Sequence, residues 1–526
     1  MVVTPPIARD ARTQSRLPDA PDVPTPDAPT PSIMRDGRTA GITMRPAPER
    51  SAHPEAVAAA IHTLERMRPE LSAALPLWWR QAFLFGILLA ITVACAVIAP
   101  KLTGLSLLLA IAAPFSALVL VRLLACLRLL LLSPERPLAK AVPNDALPSV
   151  ALLIPLHREA AIVHQLAGAL ARLNYPIARR EILIIVEADD AETRRALAIC
   201  PMPPGTSILV VEPALPRTKP KALNVALAYT RADQVVVYDA EDLPHPDQLR
   251  AAAVAFAKAP PETVCLQARL FIHNARESWL AAQFALEYYA LFDGVLPAYQ
   301  ALDLPLPLGG TSNHFNRAAL VQCGGWDPYN VTEDADLGVR IARSGYQARM
   351  LDSHTWEEAP TSFGNWLPQR TRWLKGWMQT WLVHARQPLR AMHELGVIRY
   401  IGFNLVFGGM VLAALLHPLV YGLIAWQFAT IGPFAMPDDL GGVTLTTISA
   451  LNLGLGLGAA AGLAAVAAMR RRQYRLVFQV FTMPAYWLLI SLAAWRALYQ
   501  LLYDPFRWEK TPHTPRIVAD LHEKMP

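Results

Sequence analysis

The sequence predicts an α/β domain held between groups of apolar helices that lie in lipid. Of the 526 residues, 53% are hydrophobic and 17% are charged, which is too apolar and too poor in charge for an ordinary soluble protein of this length. Long apolar runs stand on both sides of a central stretch with the composition of a soluble domain. Within that stretch, short apolar segments alternate with helical patterns, which indicates a doubly wound domain.

The two ends of the chain are predicted to lie outside the membrane. Residues 1–50 are crowded with proline and poor in large apolar side chains, so we expect a disordered tail. Residues 51–74 are expected to form a cytosolic helical segment, and residues 504–526 a cytosolic tail. The first tail lacks the apolar core and cleavage site of a signal peptide, so insertion through internal segments is expected.

Residues 75–133 are predicted to form a transmembrane hairpin. Each of its two apolar runs is long enough to cross a hydrocarbon core of about 30 Å, and the turn between them near Lys101 is very short. Basic residues flank both outer ends, which places those ends in the cytoplasm. These residues are Arg66, Arg68, Arg80, Arg128, Arg136 and Lys140.

Residues 397–503 carry further apolar runs, and the whole chain is predicted to have four to six spans. The first run, from Val397, is either one long tilted span or a hairpin broken near Pro418. The next ends at a basic triplet, residues 470–472, which marks a cytoplasmic end. The last is interrupted by Pro484 and Arg496 and either crosses the membrane or lies in its interface.

Residues 147–387 are predicted to form the α/β domain. The segments VALLIPL, EILIIVE, TSILVVE and QVVVYD are each interpreted as a buried parallel strand. In an open α/β sheet the ligand lies outside the carboxyl ends of the strands, so the polar residues directly after each strand are the candidates for chemistry.

Charge and cysteine usage argue against a nucleic-acid-binding protein and against a zinc-binding protein. The net charge is +6, but the basic residues cluster beside apolar runs rather than forming a nucleic-acid surface, so no nucleic-acid partner is expected. The five cysteines are scattered, without the spacing of a zinc site, which fits a reduced cytosolic compartment.

Two motifs follow the second and third predicted strands. In EADD, the acids Glu187, Asp189 and Asp190 either accept hydrogen bonds from a nucleobase or ribose or cap the next helix. In LPRTKPKALN, the side chains of Arg217, Lys219 and Lys221 alternate just before a helix start. Such a patch suits a diphosphate, although a solvated basic loop would have the same composition.

The fourth predicted strand runs directly into three carboxylates, Asp239, Glu241 and Asp242. Three carboxylates packed here are electrostatically unfavourable without a cation, and acids two residues apart at a strand end can converge on a hard divalent ion. The sequence therefore predicts Mg²⁺ or Mn²⁺ bound with a nucleotide diphosphate.

Two helical motifs complete the set. Thr332, Glu333 and Asp334 open an amphipathic helix, where a carboxylate is either a cap or a general base. Further on, the glutamine, arginine and tryptophan of QRTRW fall on one helical face at i, i+3 and i+4. This face suits a sugar and phosphate cradle, and its tryptophans equally suit a helix in the membrane interface.

Taken in order, these motifs resemble those of the inverting family 2 glycosyltransferases of the membrane-embedded, cellulose-synthase-like type. The resemblance covers roughly Ser149 to Trp381 and consists of EADD, KPK, DAED, TED and QRTRW. It implies a GT-A-like domain embedded in an α-helical transmembrane bundle of a bacterial inner membrane, with the catalytic domain in the cytoplasm. It also implies sugar transfer from a nucleotide-sugar, a UDP-hexose, to a growing β-linked polysaccharide acceptor. Export of that polymer would need periplasmic and outer-membrane partners.

The resemblance also implies roles for individual residues. Glu187 or Asp189 would contact the base, Asp239 would hold the metal with Glu241 or Asp242, and Asp334 would be the catalytic base. The donor diphosphate and acceptor sugar would be held by Lys219, Lys221, Gln369, Arg372 and Trp373. EADD replaces the usual DDG and DAED replaces DxD, which is why two of these assignments stay open. The segment GGTSNHF, residues 309–315, is expected to line the acceptor site.

Two other functions remain open on the sequence. One is non-processive transfer of a sugar to a polyprenyl phosphate lipid. QRTRW argues against this function, because the resemblance ties that motif to processive polymer synthases. The other is a transporter or scaffold that binds a nucleotide without reacting. Arg471 and Arg475 match half of a cyclic-dinucleotide motif whose other half the sequence lacks, so they are interpreted as charges that set membrane topology.

Overall fold

The structure is a computed structural model that describes residues 44–75, 77–131, 142–430, 432, 440–507 and 509. Most of the predicted tail at residues 1–50, the basic residues Arg136 and Lys140, and almost all of the predicted tail after residue 504 lie outside this range. Residues 49–51 cross the boundary between the predicted tail and the predicted helical segment, and they form a short strand instead, because their backbone pairs with a strand of the central domain.

A mixed sheet forms the centre of the described chain. Its strands are β1 (Glu49–Ser51), β2 (Val150–Leu156), β3 (Arg180–Glu187), β4 (Thr206–Val211), β5 (Gln234–Val237), β6 (Leu243–Pro244), β7 (Thr263–Ile272), β8 (Asn313–Asn316) and β9 (Gln347–Glu357). Their spatial order is β1-β4-β3-β2-β5-β8-β7-β9-β6.

The four predicted strands are confirmed as β2 to β5, and they pair in parallel. The sheet then changes direction, because β8 is antiparallel to both β5 and β7. The strands β7, β8 and β9 were not predicted from the sequence. The strand β8 has only four residues, Asn313 to Asn316, with a polar residue at three of them, so it carries no apolar signal.

The helices of the described chain are α1 (Pro54–Met67), α2 (Trp79–Ile98), α3 (Pro100–Leu131), α4 (Val163–Ala171), α5 (Ala191–Ile199), α6 (Lys219–Tyr229), α7 (Gln248–Lys258), α8 (Trp279–Tyr289), α9 (Leu296–Ala301), α10 (Arg317–Gln322), α11 (Glu333–Arg343), α12 (Phe363–His384), α13 (Pro388–Leu395), α14 (Val397–Phe403), α15 (Met410–Thr430), α16 (Leu440–Arg470), α17 (Tyr474–Val477) and α18 (Met483–Tyr503).

Helices cover both faces of the parallel strands. Alternate residues of β2 belong to two separate cores, Leu153 to one and Leu152 to the other, as the pleat of a strand requires. Val57 of α1 joins the first core, and Leu166 of α4 joins the second. This part of the sheet is therefore doubly wound, as predicted.

Within the described residues, five helical segments are long and apolar enough to cross a membrane, and they are called the membrane helices below: Trp79–Ile98, Pro100–Leu131, Val397–Gly422, Gly441–Arg470 and Tyr474–Tyr503. This number falls within the predicted four to six. Helix continues from α14 through a π-helical stretch into α15, with Pro418 inside α15, so the run from Val397 is one segment and not a hairpin.

Polar contacts join the membrane helices to the sheet domain. Arg471, at the end of α16, donates two hydrogen bonds to Asp293, at 2.5 and 2.6 Å, and its guanidinium lies over the ring of Phe271. The indole of Trp381 donates to Asn404 at 3.1 Å, and Trp377 packs on Phe407 with ring centroids 4.8 Å apart. Trp377 and Trp381 of α12 thus contact the membrane helices, and Arg471 connects these helices to the sheet domain.

Candidate active site

The predicted motifs border one cavity of about 1170 Å³. Its polar half is lined by residues that end β3, follow β5, or begin α6 and α11, since the carboxyl ends of parallel strands meet at one edge of the sheet. Its other half extends between the membrane helices α3, α15 and α16, where the lining is mainly aliphatic. The cavity therefore borders both the sheet domain and helices that are long and apolar enough to cross a membrane.

An ammonium group stands among the carboxylates of the polar half. Lys219, the first residue of α6, donates to Asp239 and, at 2.6 Å, to the carbonyl oxygen of Gly310. Burial opposes the charged form of Lys219, but the carboxylates of Asp239 and Glu333 outweigh it and raise its pKa. Lys219 is therefore a fixed positive charge at the centre of the site.

The carboxylates outnumber this cation. Burial, together with the charge of Asp334, raises the pKa of Glu333 to about 8, and burial raises the pKa of Asp334 to about 6. Burial and the charges of Asp239 and Glu241 raise the pKa of Glu357 to about 8. The mutual repulsion of these groups would be relieved by a further cation, and oxygen donors suit a hard divalent ion.

The three predicted metal ligands are placed differently. All three residues line the cavity, but the Asp242 carboxylate is buried and accepts hydrogen bonds from the backbone N–H of Asp239, at 2.9 Å, and from the hydroxyl of Thr311. Burial raises the pKa of Asp242 well above its usual range. Asp242 therefore closes the turn, and Glu241 is the better placed of the two alternatives.

Within the described residues, no three Asp, Glu, His or Cys side chains are grouped so that they could hold a metal ion. A cation bound at Asp239 would complete its coordination with water and donor phosphates, which is the usual behaviour of Mg²⁺ at nucleotide sites. The carboxylates of Asp239 and Glu241 fit a divalent ion that is also bound by water and by the donor phosphates.

Only some residues of the first two motifs line the cavity. Glu187 lines the cavity, while Asp189 is half exposed and accepts a hydrogen bond from Arg217 at 2.7 Å. Lys221 is fully buried outside the cavity lining, where it donates to Glu187 at 2.6 Å and to the carbonyl oxygen of Ala214 at 2.9 Å. The structure thus puts Arg217 and Lys219 at the cavity, and Lys221 behind it as a support for Glu187.

Asp334 lies at the start of α11, facing the cavity. Its Oδ1 accepts a hydrogen bond from the backbone N–H of Ala335 at 2.7 Å. A methyl group added at Gly310 would lie 3.3 Å from Asp334 Oδ2 and 3.8 Å from Asp239 Oδ2, so the two carboxylates face a common space above this glycine. That space can hold a reacting group between a base and a bound donor.

The glutamine, arginine and tryptophan of QRTRW all line the cavity from α12, as predicted for one helical face. Gln369 Oε1 is buried without a hydrogen-bond partner among the described residues. Burial lowers the pKa of Arg372, although its guanidinium is near enough to Glu333 to be stabilised by it. Trp373 packs against Phe284 and Tyr288 where the two halves of the cavity meet.

The sequence did not identify Glu357 as a residue of this site and named Thr311 only as part of a longer segment. Glu357 ends β9 and was overlooked because that strand was not identified, although an acid after a strand is the signal that identified the other motifs. Thr311 was included only within the segment 309–315, whose first three residues line the cavity while the rest continue into β8.

Comparison with known proteins finds similarity to glycosyltransferases. Residues 148–376 match the family model for glycosyltransferase like family 2. The chain is 26% identical over 253 residues to a probable glycosyltransferase, YdaM, of Bacillus subtilis, covering 46% of this chain and 58% of that protein. It is 30% identical over 298 residues to the beta-monoglucosyldiacylglycerol synthase of Synechocystis, covering 53% of this chain and 59% of that one.

More distant similarities extend to plants and archaea. The chain is 26% identical over 239 residues to glucomannan 4-beta-mannosyltransferase 2 of Arabidopsis thaliana, covering 44% of each protein. It also aligns with the solved structure of the mannosyltransferase PcManGT of Pyrobaculum calidifontis in complex with GDP-Man and Mn²⁺. That alignment has a TM-score of 0.46 and 19% identity, and it covers 76% of this chain and 99% of that one. The chain thus spans less than two thirds of the length of the curated relatives named above.

Proposed function

We propose that this chain, which carries a family 2 glycosyltransferase domain at residues 148–376, transfers a sugar from a nucleotide-sugar to a growing β-linked glycan, with inversion at the anomeric carbon. One observation carries the proposal: the carboxylates, Lys219 and the QRTRW face border a single cavity that continues between the membrane helices. Donor and acceptor can therefore meet at Asp334 from opposite sides. The donor is proposed to be a UDP-hexose.

The donor would be held by charge at the polar half. Glu187 is proposed to contact the base, with Lys221 fixing its carboxylate from behind. Lys219 and Arg372 are proposed to stabilise the negative charge that builds up on the leaving diphosphate. Mg²⁺ or Mn²⁺, bound through Asp239 with Glu241, would neutralise the diphosphate when present.

Asp334 is proposed to be the general base. Its Oδ2 faces the space above Gly310, where an acceptor hydroxyl would lie between it and the anomeric carbon of the donor. Removal of the hydroxyl proton by Asp334 accompanies attack on that carbon from the face opposite the diphosphate, so the configuration inverts. Gln369, whose Oε1 is unpartnered within the described chain, and Trp373 are proposed to hold the acceptor sugar.

A second candidate acceptor is a lipid, and the aliphatic lining of the membrane half favours it. The relative from Synechocystis is named as a synthase of a glucosylated diacylglycerol, and the relative from Arabidopsis as a polysaccharide mannosyltransferase, so relatives with either product exist. We further propose that the catalytic domain faces the cytoplasm at a bacterial inner membrane. Export of a polymer would require periplasmic and outer-membrane partners.

The test is incorporation of radiolabelled sugar from a panel of UDP- and GDP-sugars by the full chain in nanodiscs with Mg²⁺ or Mn²⁺. Asp334→Asn serves as the inactive variant, and Asp145→Asn, at an exposed carboxylate outside the cavity, as the matched control. Label in a large product that Asp334→Asn abolishes and Asp145→Asn retains supports the glycan. Label only in an organic extract supports the lipid acceptor. Absence of any label that depends on Asp334 refutes the assignment of the base.

A further inference from the structure

A group of polar side chains lies in the aliphatic half of the cavity, away from the motifs. Arg122 of α3, Tyr299 of α9, and His417 and Tyr421 of α15 all line this half, and they are called the Arg122 cluster below. Arg122 is close enough to both Tyr299 and His417 for its charge to act on them. None of the four belongs to a motif of the proposed reaction.

The cluster presents donors without acceptors. Arg122 makes no hydrogen bond or ion pair with any residue that the structure describes. The hydroxyl of Tyr421 is buried and has no hydrogen-bond partner within that same part of the chain. His417 is held in place by stacking on Trp487, with ring centroids 5.7 Å apart and the planes at 15°. Placing an unpaired guanidinium in a membrane-spanning helix is costly, and such residues usually mark a functional site.

The apolar lining around the Arg122 cluster indicates which kind of anion would bind there. The cluster is flanked by aliphatic side chains of three membrane helices, which include Leu118, Val119, Val411, Val420 and Leu453. A free nucleotide or inorganic phosphate would have to leave water for this lining without an apolar group to offset the transfer. An anion attached to a hydrocarbon chain meets both requirements, because its head can reach Arg122 while its chain lies on the aliphatic wall.

The position of Arg122 along α3 matches the depth at which a lipid headgroup lies. It lies nine residues before the end of α3 at Leu131, which is about 14 Å along a helix axis. The helix has 32 residues and is about 48 Å long, so it exceeds the hydrocarbon thickness of about 30 Å. Tyr299, beside Arg122, belongs to the sheet domain and not to a membrane-spanning segment. Arg122 thus lies where the sheet domain meets the membrane helices.

We propose that the Arg122 cluster binds the phosphate of a lipid whose hydrocarbon chain lies between α3, α15 and α16. Two sources share this chemistry: a prenyl phosphate that carries the acceptor, and a phospholipid of the bilayer. Binding of the phosphate is independent of catalysis, whereas a role of the lipid as acceptor rests on the proposed function.

The experiment measures binding to the full chain in detergent, in an Asp334→Asn background so that no turnover occurs. The probes are farnesyl phosphate, farnesol, dioleoylphosphatidylglycerol and inorganic phosphate, followed by native mass spectrometry and tryptophan fluorescence. The variants are Arg122→Gln, Tyr421→Phe and the control Arg128→Gln, which lies on the same helix outside the cavity lining. Tyr421→Phe removes one hydroxyl and keeps the ring, so it reports on the site should Arg122→Gln fail to fold.

Arg122→Gln is expected to weaken farnesyl phosphate binding by about tenfold or more, which corresponds to about 1.4 kcal/mol, and to leave farnesol binding unchanged. Tyr421→Phe is expected to weaken it by about fivefold, the size of one net hydrogen bond, and Arg128→Gln to match the parent. The proposal is overturned if farnesyl phosphate binds no more tightly than farnesol. It is also overturned if inorganic phosphate binds as tightly, or if both arginine variants behave alike.

The two sources are separated by the same probes. Preference for farnesyl phosphate over phosphatidylglycerol, with sugar label in the prenyl product of the active chain, identifies the acceptor. Equal binding of the two lipids without such label identifies a resident phospholipid. Failure of all sugar transfer would leave these binding results unchanged, so the lipid site and the proposed function can fail separately.

Discussion

Gly310 offers a test of the shared space between the proposed base and the metal-binding carboxylate. A β-carbon at this position would lie 3.3 Å from Asp334 Oδ2, 3.5 Å from Lys219 Nζ and 3.8 Å from Asp239 Oδ2. The added methyl of Gly310→Ala would therefore occupy the volume in which we place the acceptor hydroxyl. To relieve the 3.3 Å contact, Asp334 would have to move by a few tenths of an ångström. The methyl group would displace the acceptor hydroxyl by a larger distance.

We expect Gly310→Ala to lower kcat/KM by about 10²-fold, because a misplacement of about 1 Å can cost that much. The change in the free energy of unfolding should be about 1 kcal/mol or less, since the backbone of Gly310 is not left-handed and alanine restricts the unfolded chain. The assay is the initial rate of sugar transfer, measured beside the thermal unfolding midpoint. A large loss of activity at an unchanged midpoint is the expected pair of results.

Gly364→Ala is the matched control for this substitution. Gly364 lies in the first turn of α12, and a β-carbon there would meet no atom within 4 Å, so full activity is expected. If Gly310→Ala kept more than about half of the parent activity, or if Gly364→Ala lost as much, the space above Gly310 would not lie on the reaction path.

Three further predictions concern pH and the domain connection. The acid limb of the pH profile of kcat/KM should lie no higher than about pH 6, the value to which burial raises the pKa of Asp334. A bound cation can only lower this pKa, so an acid limb well above pH 6 would contradict Asp334 as the base. Burial lowers the pKa of His314 to about 3, so its neutral form stabilises the fold above pH 6.5, and this contribution is lost as the pH falls. The midpoint difference between parent and His314→Gln should therefore shrink from pH 7 to pH 5, whereas a constant difference would refute the argument. Asp293→Asn should destabilise the chain by about 3–5 kcal/mol by leaving Arg471 without its buried partner, and Asp293→Asn with Arg471→Met should recover part of the loss in denaturant unfolding.

The candidate site was largely readable from local sequence because its parts sit where strands end and helices begin. Glu187 and Asp239 follow apolar runs that could only be buried strands, and Asp334 and Lys219 stand at helix starts. The position of a strand end in a parallel sheet is fixed by the hydrophobic run before it, so the prediction that these groups converge required no distant contact. The same reasoning failed for Glu357, because β9 is an amphipathic, half-exposed strand without an apolar run.

What the sequence determined by itself was the division into membrane helices and an α/β domain, the parallel strands β2 to β5, and the motifs at their ends. These follow from hydrophobic periodicity and length, which act locally along the chain. Only the tertiary structure decided that Lys221 turns away from the cavity, that Asp242 closes its own turn, and that Arg122 shares a cavity with Asp334. These outcomes depend on which side chains from distant segments supply hydrogen bonds and charge, and composition and spacing do not encode such pairings.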